Sequence, residues 1–224
     1  MKKSILLLVL TLAALSSCKE NSKSTPDTVD TKTLDSVKNI ENKKQAALNK
    51  AIYTKYEYRD SKGASVTIEN SLPKGGSRYT DPNGKEYIYV LFWTRINNQT
   101  ANPLELKMDF PVDSYEIPAL PDQYFKILLP PNEMTYEKIP LFNYGFKDLN
   151  SFLDKNIHKS SSLKRTINPK QSSSFYVVLL CVTKGAHGTL RTGLSLKGQN
   201  LFYTINDREI HCGNINLKDL ILQK

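Results

Sequence analysis

Apolar and polar positions along the chain follow two rhythms. The cleaner one is Leu104-Glu105-Leu106-Lys107-Met108-Asp109-Phe110, apolar at even numbers and charged at odd. A period of two sends successive side chains to opposite faces, so this segment predicts a strand with one core face and one wet face. Shorter β-type runs recur at 53–58, 65–69, 86–96, 123–129, 174–182, 189–196, 201–205 and 209–212, separated by clusters of Gly, Asn, Asp and Pro. The stretch Asn97-Asn98-Gln99-Thr100-Ala101-Asn102-Pro103 between two of them predicts a hairpin turn. Two runs, 87–96 and 175–182, are apolar on both faces, and a strand of that kind must be covered on its second face as well.

The second rhythm is helical. Phe146, Leu149, Phe152, Leu153 and Ile157 fall on one helical face, with Asp148 near the start and Lys155, His158 and Lys159 near the end, as the helix dipole favours. This helix, around 146–158, is expected to pack over Tyr89, Leu91 and Trp93. The joint prediction is an all-β, antiparallel β-sandwich occupying residues 52–224 as a single domain, with one helical insertion.

Residues 1–51 obey neither rhythm. Lys2 and Lys3 precede an apolar run from Ile5 to Leu15, about half of the ~20 residues that a spanning helix needs. Leu15-Ser16-Ser17-Cys18 follows and resembles the lipobox of bacterial lipoproteins, cut before a cysteine that then carries lipid. The resemblance implies a signal peptide over 1–17 and a palmitate-bearing, lipidated Cys18. It also implies anchorage in the bacterial outer membrane, because Lys19 stands where an inner-membrane retention signal would place aspartate. Which side of that membrane the domain faces stays open. Residues 18–51 then form a lipidated cysteine and a flexible tether, which would span about 30 Å as a coil.

The Trp93–Met108 segment, and Pro169-Lys170-Gln171 ahead of an apolar strand, resemble immunoglobulin-like sandwich domains of secreted bacterial proteins over roughly residues 85–200. That likeness implies a fold and no function.

Composition narrows the chemistry. The chain has 224 residues, 31 Lys+Arg against 22 Asp+Glu, three cysteines and three histidines. Lys2, Lys3 and a tether with seven lysines against five acids account for part of the +9, leaving about +5 on the domain. Most of that excess lies in Lys155, Lys159, Lys164, Arg165 and Lys170, around Ser160-Ser161-Ser162. The serines predict an exposed loop. The cations are either an anion-binding patch, for phosphate, acidic glycan or an acidic protein face, or a solvated loop.

No Gly-x-Ser-x-Gly, His-Glu-x-x-His, P-loop or Gly-x-Gly-x-x-Gly occurs, so no catalytic residue, metal site or cofactor is assigned. Cys181 beside His187 or His211 is a nucleophile only on paper, since Cys181 lies in an apolar run where thiols are inert. His211 and Cys212 are adjacent, so strand geometry sends them to opposite faces and forbids a shared ion. Cys181 and Cys212 form either a disulfide or two buried thiols.

These features predict a membrane-anchored envelope lipoprotein acting as a non-catalytic binding module. Its partners would be the membrane, through the lipid, and an envelope glycan or protein, with nucleic acid excluded by compartment. Alternatives from other classes are an inhibitor or immunity protein, and an envelope hydrolase whose carboxylates meet only in three dimensions.

Overall fold

A computed structural model describes residues 42, 45–117, 120–182 and 190–217. The expected signal peptide, Cys18, most of the tether and His187 lie outside the described residues. The chain is mostly β, in two antiparallel sheets. Sheet A runs β1 (Ile52–Arg59), β2 (Ser65–Ser71), β4 (Glu86–Asn98), β9 (Ser172–Val182), β7 (Leu120–Leu128), β6 (Tyr115–Ile117), with β3 (Lys74–Thr80) also on β4. Sheet B runs β10 (Thr192–Lys197), β11 (Asn200–Ile205), β12 (Arg208–Asn216), β5 (Leu104–Phe110), β8 (Ser161–Ile167).

Alternate side chains of both sheets meet in one inner cluster. Val90, Phe92 and Ile96 of β4 and Phe175, Val177 and Leu179 of β9 pack there with Leu104, Leu106, Met108 and Phe110 of β5. The intervening residues of β4 and β9 build a second, outer cluster on the far side of sheet A, containing Tyr89, Leu91, Trp93, Tyr176, Val178 and Leu180. Helix α2 (Leu149–Asn156) covers it with Leu149 and Leu153, joined by Ile157 just beyond its end, as the two-faced apolar strands required.

Polar bonds pin this cover to the sheet. The Tyr144 hydroxyl donates to Leu72 O at 2.6 Å, Tyr176 donates to Tyr144 O at 2.8 Å, and Lys126, itself buried, donates to Ile157 O. Asn143 and Tyr144 take left-handed φ values of 48° and 53°, a conformation this web of bonds holds in place.

Four expectations change. A second helix is present: residues 45–51 (α1), inside the span read as tether, are helical and bury Leu48 in the outer cluster. The β4–β5 segment is an arch between sheets, with no hairpin pairing. Fully buried Asn98 sustains it, donating to Asn102 O and Ile167 O while its Oδ1 accepts from the amide and hydroxyl of Thr100. Ser161–Ile167 is strand β8, not an exposed loop; Leu163 and Ile167 point into the core and Ser161 Oγ accepts from Leu129 N at 2.6 Å. Finally, β3 and β6 were not anticipated.

Candidate functional site

The two sheets differ on their outer faces. Sheet A is covered by the outer cluster, whereas the outer face of sheet B is bare and polar. On β5, Glu105, Lys107 and Asp109 point outward because Leu104, Leu106, Met108 and Phe110 are taken by the core. On β8 the outward set is Ser162, Lys164 and Thr166. Pairing puts Lys107 directly opposite Lys164, and Glu105 opposite Thr166. On the other side of β5, Asn214 pairs with Lys107 and Asn216 with Glu105. These six residues, with Leu106 and Arg165, line an open depression of about 450 Å³.

The register of β12 depends on one irregularity. Between Leu201 and Phe202 the β11–β12 pairing shifts, leaving Cys212 as the extra residue and Gly213 opposite Leu201. Gly213 has φ +146° and lies so close to β5 that a Cβ there would meet Lys107 O at 2.0 Å. This bulge returns Asn214 to the outer face, opposite both Asn200 and Lys107. Beyond it, Phe202 packs edge-on against His211 with centroids 5.3 Å apart, and Lys197 lies 4.9 Å over the Phe202 ring. Lys197 pairs with Glu209 at 2.6 Å and Lys107 with Asp109 at 3.7 Å, all four carboxylate and ammonium groups being solvent-accessible. Among the described residues no carboxylate lies within ion-pair distance of Lys164.

The structure splits the five cations singled out in the sequence: Lys164 and Arg165 both line the depression on sheet B, and the other three lie elsewhere. Lys164 belongs to the bare face of sheet B. Arg165, beside it in the chain, donates to Pro131 O at 3.0 Å. Lys170, at φ 62°, donates to Gln99 O at 2.8 Å and closes the arch. Lys155 and Lys159 are exposed at the C-terminal end of α2, on the sheet A side. Lys107, Lys197, Asn200 and Asn214, which complete this face, are not among the residues that the sequence singles out. The outward direction of Lys107 was legible in its alternation, but the partner strands that surround it are remote in sequence.

Cys181 and Cys212 are free thiols, both buried, on β9 of sheet A and β12 of sheet B. His211 is exposed while Cys212 is buried, as strand alternation requires. Burial pushes the Cys181 thiol up to about 11 and the Cys212 thiol up to about 12. It also raises Tyr58, Tyr144 and Tyr203, and takes Tyr176 up to about 12. Groups whose folded pKa is raised add stability that is complete below their unfolded pKa and is lost as pH climbs towards the folded one. The urea midpoint should therefore hold from pH 7 to about 8.5 and then fall steadily towards pH 11. Native protein at pH 8 should resist thiol alkylation and label at both cysteines once unfolded without reductant. A flat midpoint to pH 11, or no label after unfolding, contradicts these assignments.

Elsewhere, Glu69 is buried on the sheet A side, 2.9 Å from Arg95, which Tyr136 covers at 4.4 Å. Exposed Lys55 reaches the same carboxylate at 3.5 Å, so Glu69 is neutralised from two sides. Among the described residues no group of three or more His, Cys, Asp or Glu is placed to hold a metal ion. Nor is any described helix long and apolar enough to cross a membrane. No protein-family model, no curated protein and no solved structure matches the chain.

Proposed function

We propose that this chain is an outer-membrane lipoprotein, anchored through Cys18, whose immunoglobulin-like sandwich acts as a non-catalytic binding module for an anionic envelope component. Support for the anchor comes from the charged start, the short apolar run and Leu15-Ser16-Ser17-Cys18. Support for the sandwich comes from two antiparallel sheets that share a core, with the chain passing repeatedly from one to the other. The binding role rests on one observation above all: Lys107 faces Lys164 directly across a strand pair on the uncovered face. Like charges so placed destabilise a sheet by a fraction of a kcal/mol to about 1 kcal/mol. An anion seated between them converts that repulsion into attraction, and the flanking amide of Asn214 adds a hydrogen-bond donor.

Two measurements test the proposal. Lys164→Ser should leave the urea midpoint unchanged or slightly higher, yet remove the stabilisation that sulfate gives wild type over chloride at equal ionic strength. Absence of any sulfate-specific stabilisation in wild type sinks the binding face. Separately, Cys18→Ala should move the protein from the membrane pellet to the soluble fraction and end palmitate incorporation. A wild-type protein that is soluble and unlabelled sinks the anchor.

A further inference from the structure

The anion site of the bare face is part of a longer row. Following the register across sheet B, Lys197 pairs with Asn200, Asn200 with Asn214, Asn214 with Lys107, and Lys107 with Lys164. One outward side chain from each of the five strands thus stands in a single line perpendicular to the strands, in the order cation, amide, amide, cation, cation. Neighbouring strands lie about 4.8 Å apart, so the line covers about 19 Å. It runs the full width of the sheet, and the Gly213 bulge is what keeps its third member in line.

We propose that this row binds a linear acidic glycan, laid across the strands with its carboxylate or sulfate groups on Lys197, Lys107 and Lys164. The inference rests on the anion-binding reading above and names its ligand. An extended sugar chain advances per ring by a step comparable to the strand spacing, so successive rings meet successive strands. The cations take acidic groups at both ends of the row, while Asn200 and Asn214 donate to and accept from ring hydroxyls between them. Glu105, Thr166 and Asn216 form a second polar line beside the first, and Phe202, two residues along from Asn200, carries Lys197 over its ring.

The same face argues against other occupants. Among the described residues the exposed large apolar ones are Tyr53, Val112, Tyr124, Tyr136, Leu141 and Phe142, and none stands on a strand of sheet B. A protein partner would need an apolar centre there, and a bilayer an insertable side chain. The exposed pairs Lys107–Asp109 and Lys197–Glu209 contribute little to stability, so a polyanion displaces them cheaply.

The full chain carrying Cys18→Ala, so that no lipid tethers it to a bilayer, would be titrated with oligogalacturonates of one, three, five and seven units, with sulfated and neutral oligosaccharides of matched length, with inorganic sulfate, and with phosphatidylglycerol vesicles. Affinity should rise with each acidic unit up to about five, the number of strands crossed, and then level off. Each of Lys107→Ser, Lys164→Ser and Lys197→Ser should weaken the pentamer about three-fold and the triple variant about thirty-fold, with binding falling as salt rises. Lys62→Ser, in the β1–β2 turn away from this face, should change nothing. Uronate and sulfate series that differ in affinity identify which acid the row prefers. Equal affinity for the monomer and the pentamer overturns the linear chain and leaves an isolated anion site. Binding of vesicles alone overturns the glycan. Indifference to every anion, inorganic sulfate included, overturns both this inference and the reading beneath it.

Discussion

Gly213→Ala is expected to cost about 3–5 kcal/mol, enough to leave a domain of ordinary stability largely unfolded. Two penalties coincide. At φ +146° an L side chain is strained whatever the space around it. Here the added Cβ would also stand 2.0 Å from Lys107 O, 2.9 Å from Lys107 C and 3.0 Å from Met108 Cα, all of them backbone atoms. No rotamer relieves such a clash; β12 and β5 must separate. Gly198→Ala is the matching control, because its φ of +61° is also left-handed but nothing lies within 4 Å. It should cost only about 1 kcal/mol. Urea titration of the two variants decides the matter, and a Gly213→Ala protein within 1 kcal/mol of wild type would refute the close approach of the two strands.

Asn70→Ala is expected to be nearly as damaging, at about 3–4 kcal/mol, for a different reason. The Asn70 side chain, 1% exposed, takes the place of a neighbouring strand for the edge strand β10. Its Oδ1 accepts from Leu194 N at 2.8 Å and its Nδ2 donates to Leu194 O at 3.0 Å. The same oxygen accepts from the Thr94 hydroxyl, and the same nitrogen donates to Thr54 Oγ1, both at 3.0 Å. Alanine leaves an amide, a carbonyl and a hydroxyl buried without partners, each costing about 1–3 kcal/mol before relaxation. Thr54→Val removes a single bond at the periphery and should cost about 1 kcal/mol. If Asn70→Ala and Thr54→Val unfold at the same urea concentration, Asn70 does not tie the sheets together.

The parts of this architecture that were legible in the sequence are those where burial leaves a local trace. Strand β5 was readable to the residue because one face is core and the other is water. The cover over Tyr89, Leu91 and Trp93 was readable because a strand apolar on both sides requires one, and a single helical pattern was available to supply it. Strand β8 was not, because it is an edge strand. Edges carry charge and polar side chains to discourage pairing with other chains, and Ser160-Ser161-Ser162 amid lysines reads as a loop. The Asn97–Pro103 turn chemistry reported a change of direction and could not report which sheet the chain would join. The candidate site was the least legible feature. Of the cations from Lys155 to Lys170 only Lys164 and Arg165 share a site, whereas Lys197, Asn200, Asn214, Lys107 and Lys164 become neighbours only through the register of five strands. Nothing local encodes that register, save a glycine with no obvious turn to make.

The contrast between the two outer faces also bears on how such a chain can diversify. Outward residues of β4 and β9 fill the outer cluster, so a change on that side of sheet A disturbs packing and is felt throughout the domain. The outward side chains of β10, β11, β12, β5 and β8 contribute to neither cluster, and the strands beneath them are held by residues of opposite parity. Substitutions of the exposed residues among them, such as Lys107, Lys164 and Asn200, disturb neither cluster and alter what the surface presents. Descendants of this sequence can therefore exchange one surface chemistry for another, position by position, on a scaffold whose other half must stay nearly fixed.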